Sequence, residues 1–286
     1  MIGFGQHIEM RTQADLVAAL PRGALDQVWR TEQHLLILVS SGQGRYEVDF
    51  TSYPTRPGTL LWARPGQAVR LGTTAGLDGF VVSWPAGHLP ELPGIPWSPE
   101  DPFGPVCWQL AGEDEDAVLD EVTQLGVDCA RELSPDLLRH QLAVLILRLA
   151  QVPPVGSVPG LDGPEAQTYL RFRQEVESGY DECRRVEVYA ERLGCSVRTL
   201  TRACLAATGR TAKQVIVDRV VLEAQRMLAG TALPVATIAQ QLGFDEPTHF
   251  GRLFHRVTGL PPGTFRADAR AAAQRHHANP LPQDRG

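Results

Sequence analysis

The spacing of apolar residues changes period along this chain, and the changes divide it. From Ala24 to Trp84 the text is a series of short apolar or alternating runs, LDQVWRT, HLLILVSSG, GRYEVDF, TSYPTRPGTLLWARPG, QAVRLGT and DGFVVSW, separated by Gly, Pro and Ser. Turn signals roughly every ten residues predict short antiparallel strands closing into a barrel or jelly roll. Val48 and Phe50 alternate with Glu47 and Asp49, as on a strand with one wet face. Ahead of these runs, residues 1–12 read as an arm with little pattern, and Asp15–Leu20 as a short helix or a strand with its turn.

The segment HLPELPGIPWSPEDPFGP, residues 88–105, predicts an extended connection, because proline and the residue before it disfavour helix. A helical period follows. Val118, Leu119, Val122, Leu125, Val127 and Cys129 lie among carboxylates in Glu113–Arg131. Ser134-Pro135 then supplies an N-cap and a first-turn proline for a second helix carrying Leu138, Leu142, Leu145, Ile146 and Leu149 at spacings of three and four. Together these predict a helical hairpin. Its second helix is apolar around much of its circumference (LAVLILRLA), which favours burial on two sides, hence pairing with a second subunit, over packing on the barrel alone. QVPPVGSVPGLDGP, residues 151–164, cannot form a regular element and reads as a linker.

Beyond the linker a pattern occurs twice. Ala190, Leu193, Gly194, Leu200, Arg202, Cys204 and Gly209 recur as Ala239, Leu242, Gly243, Phe250, Arg252, Phe254 and Gly259. The second copy has one extra residue in its turn. Each copy predicts a short helix, a glycine turn and a longer helix, the helix-turn-helix unit. In the first, Ser196 caps a helix whose Leu200, Ala203, Cys204 and Ala207 share one face. In the second, Asp245 is the candidate cap, Pro247 falls in the first turn, and Phe250, Leu253, Phe254 and Val257 are the candidate buried face. Thr211 caps a long helix between the copies, running to about Ala229 with an apolar set able to pack on both. The residues opposite the buried faces are polar, which points to a groove-reading helix: arginine pairs bidentately with guanine and threonine meets a thymine methyl.

Charge sharpens this reading. The chain carries a formal net charge of −6, but residues 1–164 hold 10 Arg against 20 Asp plus Glu, while residues 165–275 hold 16 Lys plus Arg against 12 Asp plus Glu. A basic C-terminal part beside an acidic N-terminal one is the balance expected of a nucleic-acid module joined to something else. The five cysteines form no CxxC pair and read as reduced thiols, with Cys204 a core position. The N-terminus has no apolar stretch of signal-peptide length, and no apolar run reaches about 18 residues. A cytoplasmic protein without a membrane segment is therefore expected.

The residues from Leu222-Glu223-Ala224-Gln225-Arg226-Met227-Leu228 through Ile238-Ala239, Leu242-Gly243-Phe244, Phe250-Gly251-Arg252-Leu253-Phe254, Gly259, Pro262 and Phe265-Arg266 closely resemble the DNA-binding domain of AraC/XylS-type transcription regulators, over about 100 residues. The N-terminal half resembles the cupin-like sensor barrel of that family through His34, Gly42, Gly44, Pro57-Gly58-Thr59-Leu60-Leu61 and Pro65-Gly66-Gln67. The resemblance implies an α+β multidomain chain: a cupin-like antiparallel β-barrel with its N-terminal arm (1–105), a helical hairpin for homodimerisation (106–152), a linker (153–164) and an all-α domain with two helix-turn-helix units (165–272); the tail (273–286), alanine- and arginine-rich and then polar with prolines, is expected to be disordered because little of it can pack. It implies double-stranded DNA as partner, with RNA polymerase a further possible one, and a small-molecule effector.

By position, the resemblance selects Arg198, Thr199, Thr201 and Arg202 on the first reading helix and Pro247, Thr248, Gly251 and Arg252 on the second. His249 flanks the second set. Arg256, with Arg210 and Lys213, is placed as a phosphate neighbour, a role that positions without specifying. For an effector pocket the candidates are Trp29, His34, Trp62, Arg64, Arg70 and Trp84, aromatic walls with an arginine for an anionic group; the alternative is that the tryptophans fill the core and the arginines are solvated. The metal-binding histidines of many cupins are missing: Gln67-Ala68-Val69-Arg70 stands where one would fall, and His34 stands alone. No cofactor, no metal and no catalytic residue is expected. A constitutive regulator whose barrel serves only for contact, and a cupin enzyme fused to a DNA-binding module, are the rival readings.

Overall fold

The computed structural model describes residues 5–19, 26–72, 76–156 and 163–275. The middle of the expected linker and the expected tail beyond 275 lie outside the described residues. The chain divides into two compact units, the first drawn from residues 1–157 together with 270–286 and the second from residues 158–269.

Among the described residues, the first unit holds nine strands in two antiparallel sheets. β1 (Glu9–Thr12), β8 (Asp78–Trp84), β3 (His34–Ser41), β6 (Thr59–Ala63) and β9 (Cys107–Gln109) lie in that order in one; β2 (Trp29–Arg30), β7 (Ala68–Arg70), β4 (Gly44–Val48) and β5 (Thr51–Thr55) form the other. Leu35, Ile37, Val39, Leu61, Ala63 and Val81 of the larger sheet pack with Tyr46, Val48 and Val69 of the smaller. Alternate residues of the same strands, Leu36, Leu38, Leu60, Trp62, Val82 and Trp84, point to the opposite side. There they meet the hairpin of α2 (Glu113–Ala130) and α3 (Pro135–Leu149) through Val118, Val122, Leu125, Leu142, Ile146 and Leu149. Apolar layers on both faces explain why β3 reads as a continuous run instead of an alternation.

Three local expectations change. Asp49 and Phe50 take φ of 49° and 62° and form the two-residue turn between β4 and β5, so Phe50 is not on a strand. β1 falls inside the arm and pairs along β8. The proline-rich stretch is a strap packed on the core, not a bare connection: Leu89, Leu92 and Trp97 pack against the helix-side cluster. Buried Arg64 donates from Nε to the Pro99 carbonyl at 3.1 Å and from Nη1 to the Pro105 carbonyl at 2.9 Å. A short helix, α1 (Gln13–Ala19), follows β1.

The second unit is helical. α4 (Pro164–Gly179) packs with α5 (Val186–Arg192) and α6 (Val197–Thr208) around Phe172, Val176, Tyr189, Leu200 and Cys204. α8 (Val235–Gln241), α9 (Pro247–Thr258) and Phe265 of α10 (Pro262–Arg275) pack around Phe250 and Phe254. α7 (Ala212–Gly230) gives Ala212 and Ile216 to the first cluster and Val220, Val221, Ala224 and Leu228 to the second. It opens with a reciprocal cap: Thr211 Oγ1 accepts from the Gln214 N–H, and the Gln214 side chain accepts from the Thr211 N–H. α10 extends to Arg275, three residues into the segment expected to be disordered. Among the described residues, no helix is long and apolar enough to cross a membrane.

Candidate nucleic-acid interface and sensor residues

Each helix-turn-helix unit is set by backbone needs the sequence supplies. Gly194 and Gly243, at φ of 64° and 71°, make the turns; Gly209 and Gly259, at 66° and 76°, end the long helices. Only glycine adopts this left-handed conformation without cost. On α6 the buried side is Leu200, Ala203 and Cys204; on α9 it is Phe250 and Phe254. Ala207 is half-buried and Val257 is 39% exposed, so both predicted buried faces end one turn early.

The eight candidate DNA-contacting residues lie on these two helices, away from the buried sides. Arg198, Arg202, Thr248, His249, Arg252 and Arg256 are exposed, and Thr199 and Thr201 are half-buried. Two details differ from expectation. Thr199 is part of the helix start: Ser196 Oγ accepts from its N–H at 3.0 Å and lies 2.9 Å from its hydroxyl. The second helix begins one residue later than expected, with Glu246 as N-cap making no side-chain bond and Pro247 at the first position. The extra turn residue pushes Asp245 out of the cap. Arg202 remains 69% exposed with Glu165 at 3.4 Å, a pair too wet to hold it firmly. Arg210 is gripped by Asp218 at 3.0 and 2.6 Å, and Lys213 donates to the Arg184 carbonyl at 2.7 Å; both basic groups already have partners within the unit.

The six candidate effector residues do not share one pocket. His34, Trp62 and Trp84 come together on the helix-facing side of the larger sheet, each at 0% exposure. Trp97 of the strap and Trp108 of β9, which the sequence reading did not select, complete the cluster, with Trp62–Trp97 and Trp97–Trp108 centroids 5.5 and 5.9 Å apart. Arg64 lies over the Trp62 ring at 4.5 Å. Trp29 is half-buried and packs instead with the core between the sheets, and Arg70 pairs with Glu47 across β7 and β4. The helix-side cluster is ordered by polar contacts. Trp62 Nε1–H donates to His34 Nδ1 at 3.2 Å. Indole nitrogen only donates, so His34 is the neutral tautomer with its proton on Nε2, facing Glu100 Oε2 at 3.2 Å. That hydrogen bond, helped by the Gly87 N–H, holds the Glu100 carboxyl below its ordinary value.

A cavity of about 640 Å³ lies elsewhere in the same unit, where β1 passes the α2–α3 turn, with Ile8, Met10, Cys129, Leu133, Leu138 and Arg139 among its walls. None of the six candidates lines it. Among the described residues no group of three or more His, Cys, Asp or Glu side chains is placed to hold a metal ion.

Comparison with known proteins follows this division. The family model of the AraC-like ligand binding domain matches residues 29–120, and that of a helix-turn-helix domain matches residues 189–268. The chain is similar to the HTH-type transcriptional activator RhaR of Klebsiella pneumoniae, 27% identical over 193 residues covering 66% of this chain and 65% of that protein. It thus spans just under two thirds of that relative's length. The MmsAB operon regulatory protein of Pseudomonas aeruginosa is 28% identical over 258 residues, covering 84% of this chain and 77% of that protein. Among solved structures, unsaturated fatty acid bound ToxT from Vibrio cholerae aligns over 93% of this chain and 97% of its own, at 11% identity and a TM-score of 0.45.

Proposed function

We propose that this chain, which belongs to the AraC-type family of transcription regulators through both of its domains, binds specific double-stranded DNA sites and regulates transcription from them. One observation carries the reading: α6 and α9 each bury one side in a helix-turn-helix core and turn an arginine-bearing polar side outward, within a single compact unit. Arg198, Thr201 and Arg202 would read base edges from α6, and Thr248, His249 and Arg252 from α9, with Thr199 at the helix start and Arg256 beside a phosphate. Selection from a random DNA pool should yield a preferred sequence. Arg202→Ala should then weaken binding to it by ~1–3 kcal/mol, the worth of a good bidentate base contact, and leave random DNA bound as before. Equal loss on both would make Arg202 a phosphate contact.

The N-terminal unit is proposed to take a small-molecule effector and to shift a pre-existing balance between states of the regulator. The match to a ligand binding domain supports this. A homodimer through the hairpin is supported by Val127, Leu137, Val144 and Leu147, which stay 38–46% exposed on α2 and α3. RNA polymerase is the further partner such a regulator would meet, the cytoplasm its place of action, and no catalysis is proposed. A constitutive regulator is the second reading, favoured by the filled space between the sheets. A metabolite screen by thermal shift separates the two: a saturable rise in stability requires a ligand of the folded state, and its absence across the screen favours the constitutive form.

A further inference from the structure

α7 is one link between the two helix-turn-helix units, and the structure holds a second. The loop from Tyr180 to Arg185, between α4 and α5, packs against the turn of the other unit. The loop is itself firmly held. Tyr189 Oη lies within hydrogen-bond reach of two carbonyls, Gly179 at 2.9 Å and Cys183 at 2.8 Å, which share its one O–H, Lys213 of α7 donates to the Arg184 carbonyl at 2.7 Å, and the Arg219 guanidinium lies 3.8 Å over the Tyr180 ring. From this base the Arg184 side chain reaches across. Its Nη1 donates to the Leu242 carbonyl at 2.8 Å, its Nη2 donates to the Gly243 carbonyl, and its guanidinium lies 3.8 Å over the Phe244 ring. The three residues it touches are the turn that orients α9. The approach is close enough that a Cβ on Gly243 would sit 2.2 Å from the Asp181 carbonyl oxygen, so glycine is needed there for contact as well as for its φ of +71°.

We propose that Arg184 is a positioning residue that locks the second helix-turn-helix unit against the first and thereby sets the separation at which two DNA half-sites are read together. The inference rests on the DNA-binding reading above. Two reading modules joined rigidly at the right separation bind a matched double site with a high effective concentration and reject a mismatched one; loosening the joint lowers the first and blurs the second. The planar fork and its stacked face suit arginine in particular, since an ammonium cannot bridge two carbonyls in a plane while covering a ring.

The test uses the full chain and the DNA site it selects from a random pool. Binding is measured on that site, on versions with one base pair added or removed between the halves, and on each half alone. Arg184→Ala should bind each half within about twofold of the unaltered chain, lose on the order of tenfold on the full site, and lose most of the preference for the native spacing. Arg184→Lys, which keeps the charge but not the fork, should behave like the alanine variant. An unchanged spacing preference in both variants overturns the proposal. So does rescue by lysine together with equal loss on half-sites and random DNA, which would mark a phosphate contact. Thermal unfolding accompanies each variant, and Phe244→Leu, which removes the ring that Arg184 covers while keeping an apolar side chain against Phe250, gives the same readout should the arginine variants fail to fold. If all three fail to fold, Arg184 serves stability alone and the proposal falls. A chain that selects no sequence at all removes the DNA-binding reading, and with it the positioning role; a chain that selects a site but ignores its spacing removes only the latter.

Discussion

The two helix-turn-helix copies keep the same turn and ending glycines but are stabilised differently. The first starts its reading helix with a bonded cap, Ser196 to Thr199, and fills its core mostly with aliphatic and small residues around one aromatic pair, Phe172 and Tyr189. The second has no bonded cap and relies on a run of edge-to-face and tilted aromatics, with Phe244–Phe250, Phe250–Phe254 and Phe254–Phe265 centroids 5.4 to 5.8 Å apart. At the reading end the order is reversed. α6 offers two arginines, Arg198 and Arg202, beside Thr201, whereas α9 offers one, Arg252, beside Thr248 and His249, with Pro247 and Gly251 among them. The copy with one reading arginine instead of two is the one fastened by Arg184. The difference suggests a reader in α6 and a clamp in α9, mounted on one frame.

Substitutions can break this contrast, the largest first. Phe254→Ala should cost about 3–5 kcal/mol, the usual loss for a fully buried aromatic ring. At the equivalent position Cys204→Ala should cost nearer ~1 kcal/mol. All five tryptophans lie between Trp29 and Trp108, so their fluorescence reports the first unit only. Hydrogen exchange of the α6 and α9 amides is therefore the measurement of choice. A loss of about 3 kcal/mol is expected for Arg219→Ala, because Arg219, 4% exposed, joins Glu177 of α4 to Glu223 of its own helix; Glu223, itself 6% exposed, still keeps Arg226 at 3.3 Å, which holds the loss to the lower end for a broken buried pair. That change should lower protection in both copies, unlike the core substitutions. The smallest pair concerns the helix starts. Ser196→Ala should cost about 1 kcal/mol, as for other bonded caps. Glu246→Ala should stay within about 0.5 kcal/mol, since its side chain makes no cap bond. Equal effects of the two would erase the difference in capping.

How much of this was legible in the sequence depended on distance along the chain. The repeat was readable because its requirements are local: a positive-φ glycine at each turn and buried residues three and four apart. The hairpin was readable for the same reason. The edge strands β1 and β9 were not, being four and three residues long with no apolar alternation to mark them. Strand parity does place Trp62 and Trp84 on the face of Leu36 and Leu60, but which layer covers that face is settled by contacts with α2 and α3 tens of residues away. The strap was misjudged for a related reason. Prolines correctly exclude a helix there, yet say nothing of Arg64 reaching up to hold the segment down. Arg184 had no local signal at all: its partners lie 58 and 59 residues on, and only the need for glycine at position 243 hinted at a close neighbour.

The most direct test of the division between α6 and α9 is a base-by-base scan of the selected DNA site with the full chain. The expected result is two reading segments about one helical turn, ~34 Å, apart, with mismatches costing ~1–3 kcal/mol under Ser196–Thr208 and distinctly less under Asp245–Thr258. Equal stringency in the two segments, or a stricter one under α9, would contradict it.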